Sequence, residues 1–223
     1  MSYELLLRKE DIMCGRFMLL SEGENSEIDE IIRNISEKYK NQSLVVKRGD
    51  IYPTDLAPVV TKQNNDKNFQ LFKWGFPLYK GKNSLLINAR GETLEEKITF
   101  KDLLRTKRCV IPASAFYEWK PMGKNKNKYL IKPQAKDCFY MAGLYNTFID
   151  LNDQPITCFV IITTAANEQM SSVHDRMPVI FSKPEETEIW MDNSFYDFKL
   201  LKSLIRPYEE KLSLKAENIS LFD

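Results

Sequence analysis

Apolar positions along the chain follow two periods. Between residues 26 and 40, Ile28, Ile31, Ile32 and Ile35 recur at three- and four-residue spacing, which is one face of a helix. Ser26 stands where an N-cap acceptor belongs. Beyond residue 40 the period shortens. Runs of β-branched and aromatic residues at 43–46, 57–61, 69–74, 109–111, 129–131, 138–144, 157–163 and 179–181 are separated by turn residues and predict strands. The stretch GKNKNK (123–128) predicts a polar hairpin tip or loop. Towards the end, 184–191 and 194–204 predict helices, with Pro184 in a first turn and Ser194 as a cap. No linker or internal repeat interrupts this order. It predicts a single α+β domain with a curved, mostly antiparallel, barrel-like β core and peripheral helices.

Composition narrows the class. A chain of 223 residues with 43% hydrophobic residues can bury a core of its own, which excludes a disordered segment and a disulfide-dense miniprotein. Thirty-two Lys and Arg against 31 Asp and Glu leave a net charge of +1, so any nucleic-acid contact must come from a local basic patch. Cys14, Cys109, Cys138 and Cys158 form no CxxC pair, and their spacings fit neither a disulfide framework nor a zinc site. Free thiols, no apolar run of about 20 residues and no signal-like start predict a cytoplasmic protein that does not enter a membrane.

Several polar residues interrupt the strand and turn pattern. His174, the one histidine, sits before Asp175, Arg176 and an apolar run, at a loop-to-strand junction where functional groups are often mounted. The alternative is an ordinary hydrogen-bonded histidine. Glu118 lies in an otherwise apolar stretch (AFYEW) and is either turned to solvent or buried with a raised pKa. Strand alternation puts Tyr117 and Trp119 on its opposite face. Asn88 and Arg90, two apart, would share one strand face, an amide and a guanidinium suited to a sugar-phosphate, unless they belong to a solvated turn. Cys14 precedes Gly15 and Arg16 and is either a reactive thiol beside a cation or an inert buried one. Trp74 and Phe76 (KWGFP) are core aromatics or a platform on which bases stack. Pro53 and Pro58 are loop prolines or wedges beside a strand-binding groove with Arg16, Arg90 and Arg176.

Taken together, MCGRF, WGF-P, NARGET, CVIPASAFYEW and HDRMPVI resemble, in order and approximate spacing, the SOS response-associated peptidase (SRAP) family, whose members are also called abasic site processing proteins. The resemblance covers about residues 13–191. It implies a single α+β domain, without metal or organic cofactor, that binds single-stranded DNA. Such a domain links covalently to abasic sites through an N-terminal cysteine. On this sequence the family's reactive cysteine falls on Cys14, its asparagine on Asn88, its glutamate on Glu118 and its histidine on His174. Its backbone-contacting arginines fall on Arg16, Arg90 and Arg176, and its base-stacking tryptophan on Trp74. A further arginine of some members has no counterpart near Lys97 and Ile98, and the ending KLSLKAENISLFD lacks the pattern of longer relatives.

The implied chemistry needs an α-amine and a thiol on neighbouring carbons, so that amine attack on the sugar aldehyde is followed by closure of a thiazolidine. Residues 1–13 precede Cys14, and while they remain there is no such amine. The expected division is an extension over 1–12, upstream of the true start or removed after synthesis, and a SRAP domain over 13–223. Two other readings stand beside this one. One is a thiol peptidase in which Cys14, His174 and Glu118 process the chain's own N-terminus; the other is a non-catalytic single-stranded-DNA-binding module.

Overall fold

The computed structural model describes residues 14–217 except 22–25, 43–44, 65, 79–83, 124 and 151; the extension expected over 1–12 lies outside the described residues. Strands β3 (Leu56–Gln63) and β4 (Asp66–Trp74) form an antiparallel hairpin. β8 (Arg108–Ala113) meets β3 at Val60↔Val110, and β11 (Phe139–Ile149) runs antiparallel to β8. β11 turns back into β12 (Pro155–Ala165), which returns to β4 in parallel at Cys158↔Lys73 and Phe159↔Trp74. The order β11-β8-β3-β4-β12-β11 closes on itself, so the predicted barrel-like core is a closed five-stranded barrel without free edges.

The two-residue period of these strands explains why they can be buried on both sides. On β8, Cys109, Ile111 and Ala113 enter one apolar cluster while Val110 enters another. On β12, Phe159 and Ile161 go one way and Cys158, Val160 and Ile162 the other. The first cluster includes the isoleucine stripe of α1 (Glu27–Lys38). The second includes residues of α2 (Ile98–Thr106), α4 (Pro184–Met191) and α5 (Phe198–Leu204). Gly143 lets β11 approach its neighbours closely: a Cβ there would lie 2.4 Å from Ile111 Cδ1 and 2.9 Å from Val160 O.

A second antiparallel sheet packs beside the barrel in the order β14-β10-β9-β1-β2. Its strands are β1 (Phe17–Leu19), β2 (Gly49–Ile51), β9 (Ala115–Met122), β10 (Asn125–Pro133) and β14 (Leu212–Glu217). β5 (Phe76–Leu78) and β6 (Ser84–Leu86) pair with each other, and β7 (Asn88–Arg90) and β13 (Arg176–Pro178) flank the last third of β12. A single turn of helix, α3 (Glu168–Ser171), leads into β13.

The helix predicted over 26–40 forms over Glu27–Lys38, with the Ser26 hydroxyl accepting from the Asp29 N–H. Of the polar stretch at 123–128, Gly123 falls at the turn of the β9–β10 hairpin, residue 124 lies outside the described residues, and 125–128 already belong to β10. Three expectations shift. Of the strand expected at 43–46, residues 43–44 lie outside the described residues and 45–48 are irregular; the chain becomes extended at Gly49–Ile51. The helix expected from Ser194 begins at Phe198 with Asp197 as its cap, because Ser194 instead donates to, and is held by, the Asp192 carboxylate in the preceding turn. The strand expected at 179–181 forms three residues earlier, at Arg176–Pro178; beyond it Val179 hydrogen-bonds to both Ala142 and Ile162, and Ile180 makes an isolated bridge to Met141. Helix α2 was not anticipated.

Candidate functional site

Cys14 lies at the entrance to β1 with φ +44°, a left-handed conformation that costs a non-glycine residue energy. Extended alternation from Arg16 would carry Cys14 to the outer face of the sheet. The left-handed residue breaks that alternation, and the side chain is wholly buried. Its backbone N–H donates to Glu118 Oε1 at 2.7 Å across 104 residues of chain. Glu118 sits on β9 opposite Tyr129 and is 2% exposed. Burial pushes its carboxyl up to about 8, and the nearby Asp175 charge adds to the effect, opposed by the N–H groups of Cys14 and Trp119. Of the two readings of Glu118, the buried one holds. The Cys14 thiol is also driven well above its ordinary range, first by burial and then by the Glu118 charge.

The other polar candidates gather around the end of β12. β7 pairs with it in parallel at Ile161↔Asn88 and Thr163↔Arg90, while β13 pairs on the other edge at Thr163↔Pro178 and Ala165↔Arg176. His174 enters just ahead of β13, its backbone N–H on Met170 O. Two contacts at its Nδ1 ask for opposite protonation. The Arg176 N–H at 3.1 Å needs a lone pair, whereas Asp175 Oδ1 at 2.9 Å needs a proton. Asp175 is 87% exposed and shared with water, and burial lowers the His174 pKa, so the neutral ring with its proton on Nε2 is the resting form.

Arg176 reaches across β12 to the turn after β7. Its Nη1 and Nη2 bind the Glu92 carboxylate at 2.5 and 2.8 Å, and Nη2 also lies 3.0 Å from Thr163 O. The turn can lie this close because residue 91 is glycine: a Cβ there would meet Ile205 Cγ2 at 2.2 Å. Arg16 is held differently. Its guanidinium stands 4.4 Å from the Tyr52 ring centre and 5.2 Å from that of Trp119, with Asp50 Oδ2 at 3.5 Å. Tyr117 donates to the same Asp50 at 2.7 Å.

Trp74 corrects an expectation. Its ring is fully buried, stacked on Phe159 at 6.2 Å, and its indole N–H donates to Ile87 O, so no face is left for a base. A tryptophan at the end of an inner barrel strand packs both faces against neighbouring strands. Pro53 and Pro58 are likewise buried, which removes them as wedges. Sequence reasoning missed Glu92 and Asp50 as partners of the arginines. For Glu92 a signal existed, since Asn88, Arg90 and Glu92 alternate two apart.

The chain is an α+β domain in which a closed barrel lies beside an antiparallel sheet and a buried acid accepts from the backbone N–H of a cysteine. The chain belongs to the SOS response associated peptidase (SRAP) family, whose model matches residues 13–220. The Bacillus subtilis (strain 168) protein YoqW, named an abasic site processing protein, is 38% identical over 208 residues, covering 88% of each chain. YobE of the same organism, with the same designation, is 36% identical over 208 residues, covering 88% of this chain and 90% of the relative. A crystal structure of a Bacteroides thetaiotaomicron protein superposes with TM-score 0.74 at 25% identity, covering 92% and 93% of the two chains. No described helix is long and apolar enough to cross a membrane.

Proposed function

We propose that this protein processes abasic sites in single-stranded DNA by linking to them covalently through Cys14, once the residues before it have been removed. One observation carries the reading: the Cys14 nitrogen rests on a buried acid whose pKa is about 8. With the chain opened at that position, the same nitrogen becomes an α-amine of pKa roughly 8 beside a group able to take and return its proton. The amine adds to the aldehyde of the ring-opened deoxyribose. Glu118, which holds its proton up to about pH 8, gives that proton to the departing hydroxyl and recovers one from nitrogen, giving an imine and water. The thiol then adds across the C=N bond, sulfur to carbon and hydrogen to nitrogen, and closes the five-membered ring. A neutral thiol suits this addition. His174, neutral with Nε2–H, assists ring opening at the sugar oxygen, and Asn88 orients the open sugar. Arg90, Arg16 and Arg176 hold the phosphodiester backbone. The relatives' designation as abasic site processing proteins supports the substrate class.

The peptidase alternative asks Cys14 for a thiolate, which burial and the Glu118 charge both oppose. The test uses two versions, beginning at Met1 and at Met13, each incubated with a single strand bearing an abasic site and read by intact mass and gel shift. The expected result is a DNA-sized adduct only on a chain that begins with Cys14. A long version that clips itself after Met13 restores the peptidase reading. Binding without adduct by either version leaves a non-catalytic module. The adduct rate is expected to peak near pH 8, falling below as the amine protonates and above as Glu118 ionises. A rate flat from about pH 5 to 9 counts against these roles.

A further inference from the structure

The Arg176–Glu92 pair has more structure than a surface ion pair. Arg176 is only 15% exposed, and its guanidinium has five N–H donors. Two are taken by the two oxygens of Glu92 in fork geometry, one of those nitrogens also serving Thr163 O and Oγ1. The Nε–H is buried and meets no acceptor among the described residues. The plane of the guanidinium is therefore fixed from the Glu92 side, and one Nη1–H remains to meet a ligand. Glu92 is held ionised for this purpose, its pKa lowered by the hydrogen bond from Arg176. The pair also spans β12 from one flank to the other, joining the turn after β7, which carries Asn88 and Arg90, to β13, which follows His174. β7 and β13 are three residues each, with three register pairs apiece, so a bidentate strut adds materially to their alignment.

We propose that Glu92 is the positioning residue that aims Arg176 at the phosphodiester backbone of the bound single strand. This rests on the abasic-strand reading above but concerns binding, not the covalent step. A lone arginine must freeze a flexible side chain when it meets a phosphate. One already clamped by a carboxylate loses less freedom on binding and contributes more to affinity. Glu92 could instead be a competitor, a carboxylate that occupies the phosphate seat until DNA displaces it. The fork geometry and the remaining Nη1–H favour positioning, because the phosphate can be met without breaking the pair.

The two roles predict opposite signs. The measurement is equilibrium binding of the full chain to a labelled single strand carrying a tetrahydrofuran residue, which has no aldehyde and cannot crosslink, at several salt concentrations. Glu92→Gln is expected to weaken binding by about 3- to 10-fold and to make the log affinity–log salt slope shallower by up to about 0.7, the share of one single-strand phosphate. Its melting temperature should fall by no more than about 4 °C, so that the weakened affinity is read on folded protein. In an Arg176→Gln background the same change is expected to cost nothing further. Tighter binding by Glu92→Gln establishes the competitor role and overturns the proposal. Wild-type affinity in the folded variant overturns it too, as does a loss that adds fully to that of Arg176→Gln. Should Glu92→Gln not fold, Glu92→Ala, which also removes the carboxylate, carries the same test with the same outcomes. A wild-type chain that begins with Cys14 and binds the tetrahydrofuran strand but never crosslinks a natural abasic strand defeats the function proposed above and leaves the Glu92 test standing. One that binds neither strand defeats both.

Discussion

Arg108 and Arg176 are the same residue used in opposite ways. Arg108, at the start of β8, is fully buried, and its five N–H donors are spent on five backbone carbonyls: Leu104, Arg105, Trp190, Asp192 and Phe195. Those carbonyls are the open C-terminal ends of α2 and α4 and the turn that follows α4, which otherwise lack intrahelical donors. Burial lowers the Arg108 pKa only to about 10, so the charge stays at neutral pH. Arg176 keeps a donor free and takes its partner from a carboxylate 48% exposed to solvent. A guanidinium saturated by carbonyls is architecture. One that is aimed by an acid and left incomplete is available to a ligand, and burial alone does not tell the two apart.

The sharpest way to break this comparison is to remove Arg108. Arg108→Met strips five carbonyls of their donor, those of Leu104 and Trp190 at fully buried contacts, and should destabilise the fold by about 3–5 kcal/mol, the usual cost of breaking a buried charged network. For a chain of this size that lowers the melting temperature by roughly 10 °C or more. The fraction that remains folded should bind an abasic strand like wild type. Undiminished thermal stability, or a specific loss of DNA binding by folded protein, would place Arg108 in the site.

Glu118→Gln tests the buried acid. The adduct rate should fall by about 100-fold, the usual share of a positioned acid–base group. Binding of a non-reactive strand should persist, because the amide oxygen can still accept the Cys14 N–H. The stability effect has a definite sign. The folded carboxyl holds its proton up to about pH 8, well above the ordinary range, so folding is favoured below that range. The advantage is lost progressively as pH rises towards 8. Glu118→Gln removes this slope and should leave the variant more stable than wild type at pH 8 and above. A wild-type melting temperature flat from about pH 5 to 8 would mean that Glu118 is ionised throughout.

Trp74→Phe comes next in size. It leaves a partial cavity beside Phe159 and strips the Ile87 carbonyl of its donor, for about 1–3 kcal/mol of stability. Affinity for single-stranded DNA, measured by anisotropy, should not change. A selective loss of affinity at unchanged stability would return the tryptophan to the binding surface.

How far the sequence reached follows from these same residues. The α1 stripe and the inner barrel strands were legible because a period of 3.6 or 2 in apolar residues is a local signal. Helix α2 was not, since only Phe100, Leu103 and Leu104 of its nine residues are buried and Ile98 is almost wholly exposed. Motifs could name Cys14, Asn88, Glu118 and His174 as candidates. That Glu118 is buried against the Cys14 nitrogen could not, because the contact spans 104 residues and depends on a left-handed turn at Cys14. The same holds for Trp74: an aromatic beside a glycine reads alike whether its ring faces solvent or is stacked between strands.

The smallest expected effect concerns Arg16, which lies between the two extremes. Like Arg176 it has a carboxylate, Asp50, but its guanidinium is steadied chiefly by the Tyr52, Trp119 and Tyr117 rings. Tyr52 is presented by a tight turn in which Thr54 adopts φ +79°, an unfavourable value for a β-branched residue. That turn is held by the Thr54 N–H on Trp74 O and the Tyr52 N–H on the Asp55 carboxylate. Tyr52→Leu keeps apolar bulk at this place and removes the π face. An exposed cation–π contact is worth about 0.5–1 kcal/mol, so affinity for a non-reactive abasic strand should drop about 2- to 5-fold. The salt slope should be kept, since the charge on Arg16 remains. Stability should move by less than about 1 kcal/mol. A fall in the salt slope instead would show that the ring does not merely steady Arg16 but decides whether it meets the phosphate at all, placing Arg16 with Arg176 as an aimed arginine. No change in affinity would place it with Arg108, as an arginine spent on the protein itself.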